Sequence, residues 1–320
     1  MANSTLISYQ SGLKITVTTD KQVYKVPTTG VTVQISGNLT LNNLPVSDGL
    51  IALQINTRIG GFIYRTLLTG IIPTWTRYIE IVDAYIGDAS GNHLTNVKRG
   101  ATIWIWIWYK NNLIVPVYAV IAFTIYSSSN IPLFGFNLGG NSIPPGGPWC
   151  SAYSWQVPSS ADLGTAAIYA SAFSDSPQNH GVPYCPENSS TFNIISSKTS
   201  TMQHSSETAQ VTYENGTYGS SFYIPPNGGT LGNYTVYVAS YYQGGQVSDS
   251  TKFEVKLLGD IYRDGKVDIS DLVKMVPTIP SMPGYPNWDP EADLTDPPDN
   301  KVDISDLTIL INTIGNYGTY

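Results

Sequence analysis

Acidic residues recur at fixed intervals near the C-terminal end of this 320-residue chain. Four aspartates fall at positions 1, 5, 9 and 12 of one short stretch, namely Asp260, Asp264, Asp268 and Asp271. A loop that wraps around a hard cation such as Ca²⁺ needs oxygen ligands at this spacing. Gly265 supplies the sharp turn at position 6, and Lys266 at position 7 offers its backbone carbonyl. The sequence therefore predicts a calcium loop that runs into a helix.

The block KVDISDL occurs twice, at Lys266–Leu272 and Lys301–Leu307. A repeat this close indicates two copies of one small unit. The candidate ligands of the second copy are Asp293, Thr295, Asp299, the carbonyl of Lys301, Asp303 and Asp306. This copy has extra residues around Asp296, so Thr295, Asp296 or Asp299 would take the middle position. The alternative is a pair of helix–loop units that hold no metal.

The pattern G-D-x-x-x-D-G-x-V-x-x-x-D-L, with Asp at position 12, resembles a type I dockerin over roughly residues 258–315. That resemblance implies two bound calcium ions and docking onto a cohesin domain. The chain departs from the family at position 3, where Tyr262 replaces the usual Asn or Asp. Pro277 should end the first helix early, because proline breaks helices.

Composition places these loops in a chain of low charge. Charged residues make up 12%, the net charge is -7, and Tyr, Gly and Pro are abundant. This composition is typical of an extracellular all-β protein, and it argues against nucleic-acid binding, which needs a basic surface. Two cysteines, Cys150 and Cys185, lie in loop-like stretches, and in an oxidising compartment they would form a disulfide. N-glycosylation sequons occur at Asn3, Asn38, Asn188, Asn215 and Asn233.

The region before the repeats predicts short strands separated by turns, as in a β-sandwich. Residues 23–51 are similar to the first half of an immunoglobulin-like domain of the macroglobulin or bacterial surface type, and residues 215–256 are similar to its closing strands. We therefore expect an N-terminal arm (1–12), a discontinuous sandwich (13–77 plus 198–256), an inserted sandwich (78–197) and the dockerin-like module (257–320). Three sequential smaller domains are the alternative. The fold class expected is mostly β, with two immunoglobulin-like sandwiches and one small helical module.

The inserted region carries the pattern V-K-R-G-A-T…Y-K-N-N…S-I-P-P-G…G-T-A-A-I-Y-A, which is similar to the CARDB-type adhesion modules of archaeal and bacterial surface proteins. Its two most apolar stretches, residues 100–112 and 113–126, are predicted to form a hairpin across Asn111-Asn112.

The first of these stretches contains I-W-I-W-I-W-Y, so a strand there would project Trp104, Trp106 and Trp108 from one face and three isoleucines from the other. Something must cover the second apolar face. The first sandwich or the calcium module, a neighbouring subunit, and a glycan stacked on the indoles are the three possibilities. The N-terminal stretch STLISYQ would extend an edge strand, pair with a neighbour's sheet, or fray.

Catalytic motifs are not apparent. The three histidines have no zinc-ligand spacing, and neither a nucleophile elbow nor a phosphate-binding glycine loop occurs. No apolar run is long enough for a transmembrane helix. The sequence favours a non-enzymatic extracellular structural protein that assembles with copies of itself into a surface assembly or filament. The alternative is an adhesion or carbohydrate-binding module displayed on a cohesin-bearing partner.

Overall fold

The computed structural model describes residues 12–57, 61–73, 78–196 and 216–320. The predicted N-terminal arm up to Ser11 lies outside this part of the chain, as do the sequons at Asn3 and Asn215. The mostly-β class is confirmed, because strands dominate and two α-helices occur among the described residues. The domain boundaries stay a prediction.

The strands follow one another closely along the chain. The first six are β1 (Leu13–Thr19), β2 (Val23–Val26), β3 (Val31–Leu41), β4 (Leu44–Pro45), β5 (Leu50–Asn56) and β6 (Phe62–Leu68). The next eight are β7 (Ile79–Gly87), β8 (Asn96–Lys98), β9 (Thr102–Asn111), β10 (Val117–Tyr126), β11 (Pro132–Ile143), β12 (Gly146–Gln156), β13 (Gly164–Phe173) and β14 (Asn188–Ile195). The last five are β15 (Thr217–Ile224), β16 (Gly229–Thr230), β17 (Gly232–Tyr242), β18 (Gly245–Leu257) and β19 (Gly318–Thr319). The helices are α1 (Ile269–Met275) and α2 (Ile304–Thr313).

The first sheet pair joins strands from distant parts of the chain. One sheet has the order β1-β3-β15, with β4 paired to β3, and the other has the order β2-β18-β17-β5-β6. Strands β1 and β3 bury every second side chain, which is the pattern of a strand with one face on a core. Their buried residues share one hydrophobic core with those of the other sheet, and Tyr24, Ile35 and Val236 are among its most deeply buried members.

The second sheet pair contains only strands from residues 79–195. Its sheets have the orders β12-β9-β7 and β11-β10-β13-β14-β8, and they enclose a second core. The predicted hairpin between the two apolar stretches is wrong, because β9 pairs with β7 and β12, whereas β10 pairs with β11 and β13. Asn111 lies where the chain crosses from one sheet to the other. It is buried, and its side-chain amide donates to the carbonyls of Val115 and Ile143 at 2.8 and 2.9 Å, which holds the crossing segment in place.

The two sheet pairs contact each other through strand β10. Its side chains are buried on both faces, because one face lines the second core and the other, with Val120 and Ala122, packs on Ala52 of the first pair. The side chains of Arg65 and Glu187 form a bidentate ion pair across this contact, at 2.6 and 2.9 Å. The guanidinium also lies 3.7 Å from the ring centre of Tyr169. Both charged groups are nearly buried, so the contact is specific as well as apolar.

The C-terminal module, residues 258–320, packs directly on the first sheet pair. Its buried residues Ile261, Val267 and Leu310 belong to the same core cluster as those sheets. Helix α1 ends at Met275 and is followed by a 3-10 turn that contains Pro277, as expected from the proline. The module therefore sits on the sheets as a packed part of one body.

Candidate functional site

The first predicted calcium loop is closed by hydrogen bonds from backbone amides to aspartate side chains. The Asp260 carboxylate accepts from the amides of Asp264 and Gly265 at 3.0 and 2.9 Å. The Asp271 carboxylate accepts from the amides of Ile261, Tyr262 and Asp268 at 2.8, 3.0 and 2.9 Å. Both carboxylates are buried. The loop is thus preformed around two inward-facing acidic side chains.

The other predicted ligands of this loop lie nearer its surface. The Asp264 side chain accepts from the amide of Lys266 at 3.0 Å, and Asp268 caps helix α1 by accepting from Ser270. The side chain of Tyr262 at position 3 is exposed, with the Lys274 ammonium 5.1 Å from its ring centre. Position 3 therefore contributes no inward oxygen from its own side chain.

The second loop repeats this geometry despite its insertion. The Asp306 carboxylate accepts from the amides of Leu294 and Asp303 at 2.8 and 2.9 Å. The Asp293 carboxylate accepts from Asn300 at 2.9 Å, and Asn300 takes the left-handed conformation that Gly265 takes in the first loop. Asparagine tolerates this conformation better than most residues. The two copies therefore share the buried aspartate at the start of the helix and the left-handed turn before it.

Of the three candidates for the middle position of the second loop, Asp299 has the hydrogen bonding that Asp264 has in the first loop. Asp299 accepts from the amide of Lys301 at 3.0 Å, as Asp264 does in the first loop. The Thr295 hydroxyl donates to Asp293 at 2.8 Å and also lies inside the loop. Asp296 points away and forms an exposed ion pair with Lys21 at 2.8 Å.

The electrostatics of the loops differ between their centres and their rims. Burial raises the pKa of Asp260, and the nearby charge of Asp271 adds to that shift. On the rim, hydrogen bonds from Ser270 and Ser305 lower the pKa values of Asp268 and Asp303. A cation at the centre would relieve the repulsion between the two buried carboxylates of the first loop.

The predicted donor atoms are of the type that a calcium ion would use. They are all oxygens, and Ca²⁺ takes six to eight oxygen ligands from carboxylates, backbone carbonyls and water. A carboxylate has about four lone-pair positions, and the amides use three on Asp271. Among the described residues, no three side chains of the His, Cys, Asp and Glu types cluster closely enough to hold a metal by themselves. Carbonyls such as that of Lys266 would have to complete the ligand set.

Sequence reasoning missed Lys25 of strand β2, which contacts the second loop. Its ammonium group donates to the backbone carbonyls of Asp293 and Thr295 at 2.8 and 3.3 Å. Burial lowers the pKa of Lys25, while the charge of Asp293 opposes that shift. A lone lysine in an alternating strand carries no signal that would have indicated this contact.

The two helices of the module leave apolar side chains in solvent. Ile269 and Val273 on α1 are 65% and 64% exposed, and Ile304 and Ile311 on α2 are 68% and 54% exposed. Ile269 and Ile304 are equivalent positions of the repeat. Residues four or seven apart on a helix lie on one face, so each helix presents an apolar stripe. We call these two stripes together the helix face.

The tryptophan strand β9 buries its isoleucines in the second core and turns its indoles outward. Trp104, Trp106 and Trp108 are half-buried. Their cover comes from their own sheet pair, since the Trp106 indole N–H donates to the carbonyl of Asp88 at 3.1 Å and that of Trp108 lies 3.5 Å from the Tyr85 hydroxyl. The three indoles therefore form a partly exposed aromatic row.

The predicted disulfide is not formed. Cys150 lies on strand β12 opposite Trp108, on the outer side of its sheet, whereas Cys185 is buried in the second core. A sheet layer separates the two sulfurs. Of the described sequons, Asn38 and Asn233 are exposed on strands and Asn188 is half-buried.

A concave feature also lies between the two sheet pairs. This cleft of about 700 Å³ is lined by four tyrosines together with Asp48 and Gln246. The tyrosines are Tyr78, Tyr184, Tyr241 and Tyr242. Because its residues come from four separate stretches of the chain, no sequence motif pointed to it.

No protein-family model matches the chain, and no curated protein matches it. Among solved structures, the CARDB domain of the PF1109 protein from Pyrococcus furiosus, in complex with di-metal ions, is 15% identical, with 38% of this chain and 97% of that chain covered and a TM-score of 0.25. The C-terminal domain of Wzt is 14% identical, with 42% and 87% covered and a TM-score of 0.31. The alkylpurine DNA glycosylase AlkC of Pseudomonas fluorescens, bound to DNA containing an abasic site analog, is 13% identical, with 37% and 30% covered and a TM-score of 0.29. The chain thus spans less than a third of that enzyme, and similarity this low assigns no family. In the part of the chain that the structure describes, neither helix is long and apolar enough to span a bilayer.

Proposed function

We propose that the protein is a non-enzymatic structural subunit of the cell exterior, built from two immunoglobulin-like sandwiches and a dockerin-like calcium module. The observation that carries this proposal is the helix face. Large apolar side chains exposed along a helix favour a surface that binds another protein. The helix face repeats itself across the two copies of the module, which favours a built docking surface over scattered exposed residues.

The partner we favour is another copy of the chain. The module is packed on the first sheet pair, so its docking surface has a fixed direction relative to the rest of the subunit. A contact between this face and a different part of the next subunit would be heterologous, and such contacts build filaments when the rotation does not close. Calcium in the two loops would hold α1 and α2 in the relative position that the contact needs.

The test is to image the purified protein by negative-stain electron microscopy in calcium and in chelator. The variants Ile269→Asp and Ile304→Asp place a charge at equivalent points of the helix face. The matched control is Ile114→Asp, because Ile114 is 95% exposed but lies in the connection between β9 and β10. Filaments in the unchanged protein and in the control, and their loss in the two variants, would support the proposal.

Single particles in every condition would overturn self-assembly. They would favour the second candidate function, an adhesion or carbohydrate-binding module displayed on a cohesin-bearing protein. The specific observation that favours it is the aromatic row of Trp104, Trp106 and Trp108, since partly exposed indoles can stack on sugar rings. Calorimetric titration with soluble β-linked and α-linked glucose oligosaccharides would test this candidate, with Trp106→Ala as the variant that should lose binding.

A further inference from the structure

The last six residues, Gly315–Tyr320, form a strap between the first calcium loop and the first sheet pair. On the loop side, the amide of Gly318 donates to the carbonyl of Gly265 at 2.9 Å, and the amide of Val267 donates to the carbonyl of Asn316 at 3.0 Å. These bonds fix residues 265–267, which are the turn of the loop and the residue whose carbonyl should face the ion.

The other side of the strap pairs with the first sheet pair. Strand β19 runs parallel to β16, and the amide of Leu231 donates to the carbonyl of Thr319 at 2.7 Å. Gly318 lies so close to this region that a Cβ atom at this position would be 2.6 Å from the Leu231 side chain and would force it to shift. The strap thus lies between two other backbone segments and pairs with both, namely residues 265–267 of the loop and residues 229–231 of the first sheet pair.

The side chain of Tyr320 ends this strap inside the first loop. Its ring packs next to Gly265, and its buried hydroxyl lies beside the Asp260 carboxylate, with which it interacts as a hydrogen-bond donor of imperfect geometry. Burial raises the pKa of Tyr320, and the neighbouring charge of Asp260 raises it further. A hydroxyl in this position next to a carboxylate is suited to donate to it once the carboxylate is drawn into place.

We propose that Tyr320 is a positioning residue for the first calcium loop, and that the strap couples metal binding there to the attachment of the module on the first sheet pair. The proposal rests on the calcium binding put forward above. Asp260 must turn one oxygen to the ion while it holds the amides of Asp264 and Gly265. A hydrogen bond donated by the Tyr320 hydroxyl to the Asp260 carboxylate fixes that orientation, as hydrogen bonds to metal-ligating carboxylates do in other metal sites.

The coupling follows from the shared backbone. The same stretch, residues 265–267, contributes a carbonyl to the ion and pairs with the strap. An ion that orders this stretch therefore also orders the strap, and with it the pairing to Leu231. Removal of the ion should loosen both.

The test compares Tyr320→Phe with Tyr317→Phe in the full chain. Tyr317 lies in the same strap but its side chain is exposed, so it is a matched control. Calcium titration by calorimetry should show one of two sites weakened about 10- to 100-fold in Tyr320→Phe and neither site changed in Tyr317→Phe. Hydrogen exchange at the Leu231 amide should be slow in calcium, faster in chelator, and faster in Tyr320→Phe than in Tyr317→Phe at the same calcium concentration.

The proposal requires both results. Equal affinities of the two variants, or exchange at Leu231 that does not respond to calcium, would overturn it and leave calcium binding intact. Absence of calcium binding in the unchanged protein would overturn it together with the calcium part of the proposed function.

Discussion

Replacement of Asp271 by alanine should damage the module more than any other single change in the first loop. The carboxylate is 1% exposed and accepts three backbone amides at 2.8 to 3.0 Å. Alanine would leave the buried amide of Ile261 and the partly buried amides of Tyr262 and Asp268 without partners. A buried unsatisfied amide costs about 1–3 kcal/mol and a partly buried one less, so the total should be about 3–5 kcal/mol even without metal. The control is Asp268→Ala, which removes a carboxylate of the same loop that caps the start of helix α1 at the rim.

Calcium adds a second, separable effect. An ion held at a free concentration of 100 times its dissociation constant stabilises the folded state by about 2.7 kcal/mol per site. The unchanged protein should therefore melt roughly 5 °C or more higher in calcium than in chelator. The Asp271→Ala variant should lose stability in both conditions and should lose the contribution of the first loop to this shift.

Thermal melts followed by circular dichroism, in calcium and in chelator, would measure both effects. If Asp271→Ala were no less stable than Asp268→Ala in chelator, the backbone amides bound to the Asp271 carboxylate would not be what stabilises the loop. If the unchanged protein melted identically with and without calcium, the assignment of the metal site would be wrong.

Three further perturbations address other parts of the molecule. Arg65→Met and Glu187→Met each remove one partner of the ion pair, and each should lower the free energy of unfolding in denaturant by about 3–5 kcal/mol. The free energy of unfolding of the double variant should be far closer to that of the unchanged protein. A double variant as unstable as the less stable single variant would refute this reasoning. Burial alone would raise the pKa of Glu291, but the hydrogen bonds and charges of a neighbouring lysine and arginine lower this pKa overall. The contribution of Glu291 to stability is therefore present above pH 4.5 and is lost as the pH falls through the lowered pKa. Glu291→Gln should flatten the stability curve in that acidic range, and an unchanged curve would contradict the assigned shift. A maleimide reagent should label Cys150 before Cys185 in the folded protein, since the latter is 1% exposed, and equal rates would contradict the placement of the two thiols.

Local sequence patterns predicted the strands well where one face is buried. In β9 the alternation of I-W-I-W-I-W-Y puts the indoles on one face and the isoleucines on the other, as predicted. The error came where both faces are apolar. Strand β10 is buried on both sides by two different cores, so periodicity could not show which sheet it joins, and the neighbouring asparagines suggested a hairpin.

The candidate site was predicted in its local part and missed in its long-range part. The spacing of Asp260 and Asp271 was sufficient to expect them on one loop, since their contacts are made within twelve residues. Lys25 and Tyr320 reach the loops from the opposite ends of the chain, and no local pattern encodes a contact across that separation. The disulfide prediction failed for the same reason, because loop-like sequence around two cysteines does not show on which side of a sheet each thiol lies.

The parallel ladder between β2 and β18 has a mechanical consequence. A tensile load applied between the N-terminal strands and the C-terminal module would pass along this ladder, from Val23–Val26 to the end of β18. The contacts of Lys25 and of the strap would carry part of the load into the module. Parallel strands loaded along their length resist by shear, so several hydrogen bonds would have to break together. Strands β7 to β14 lie outside this line of force and would stay folded while the first sheet pair carries the load.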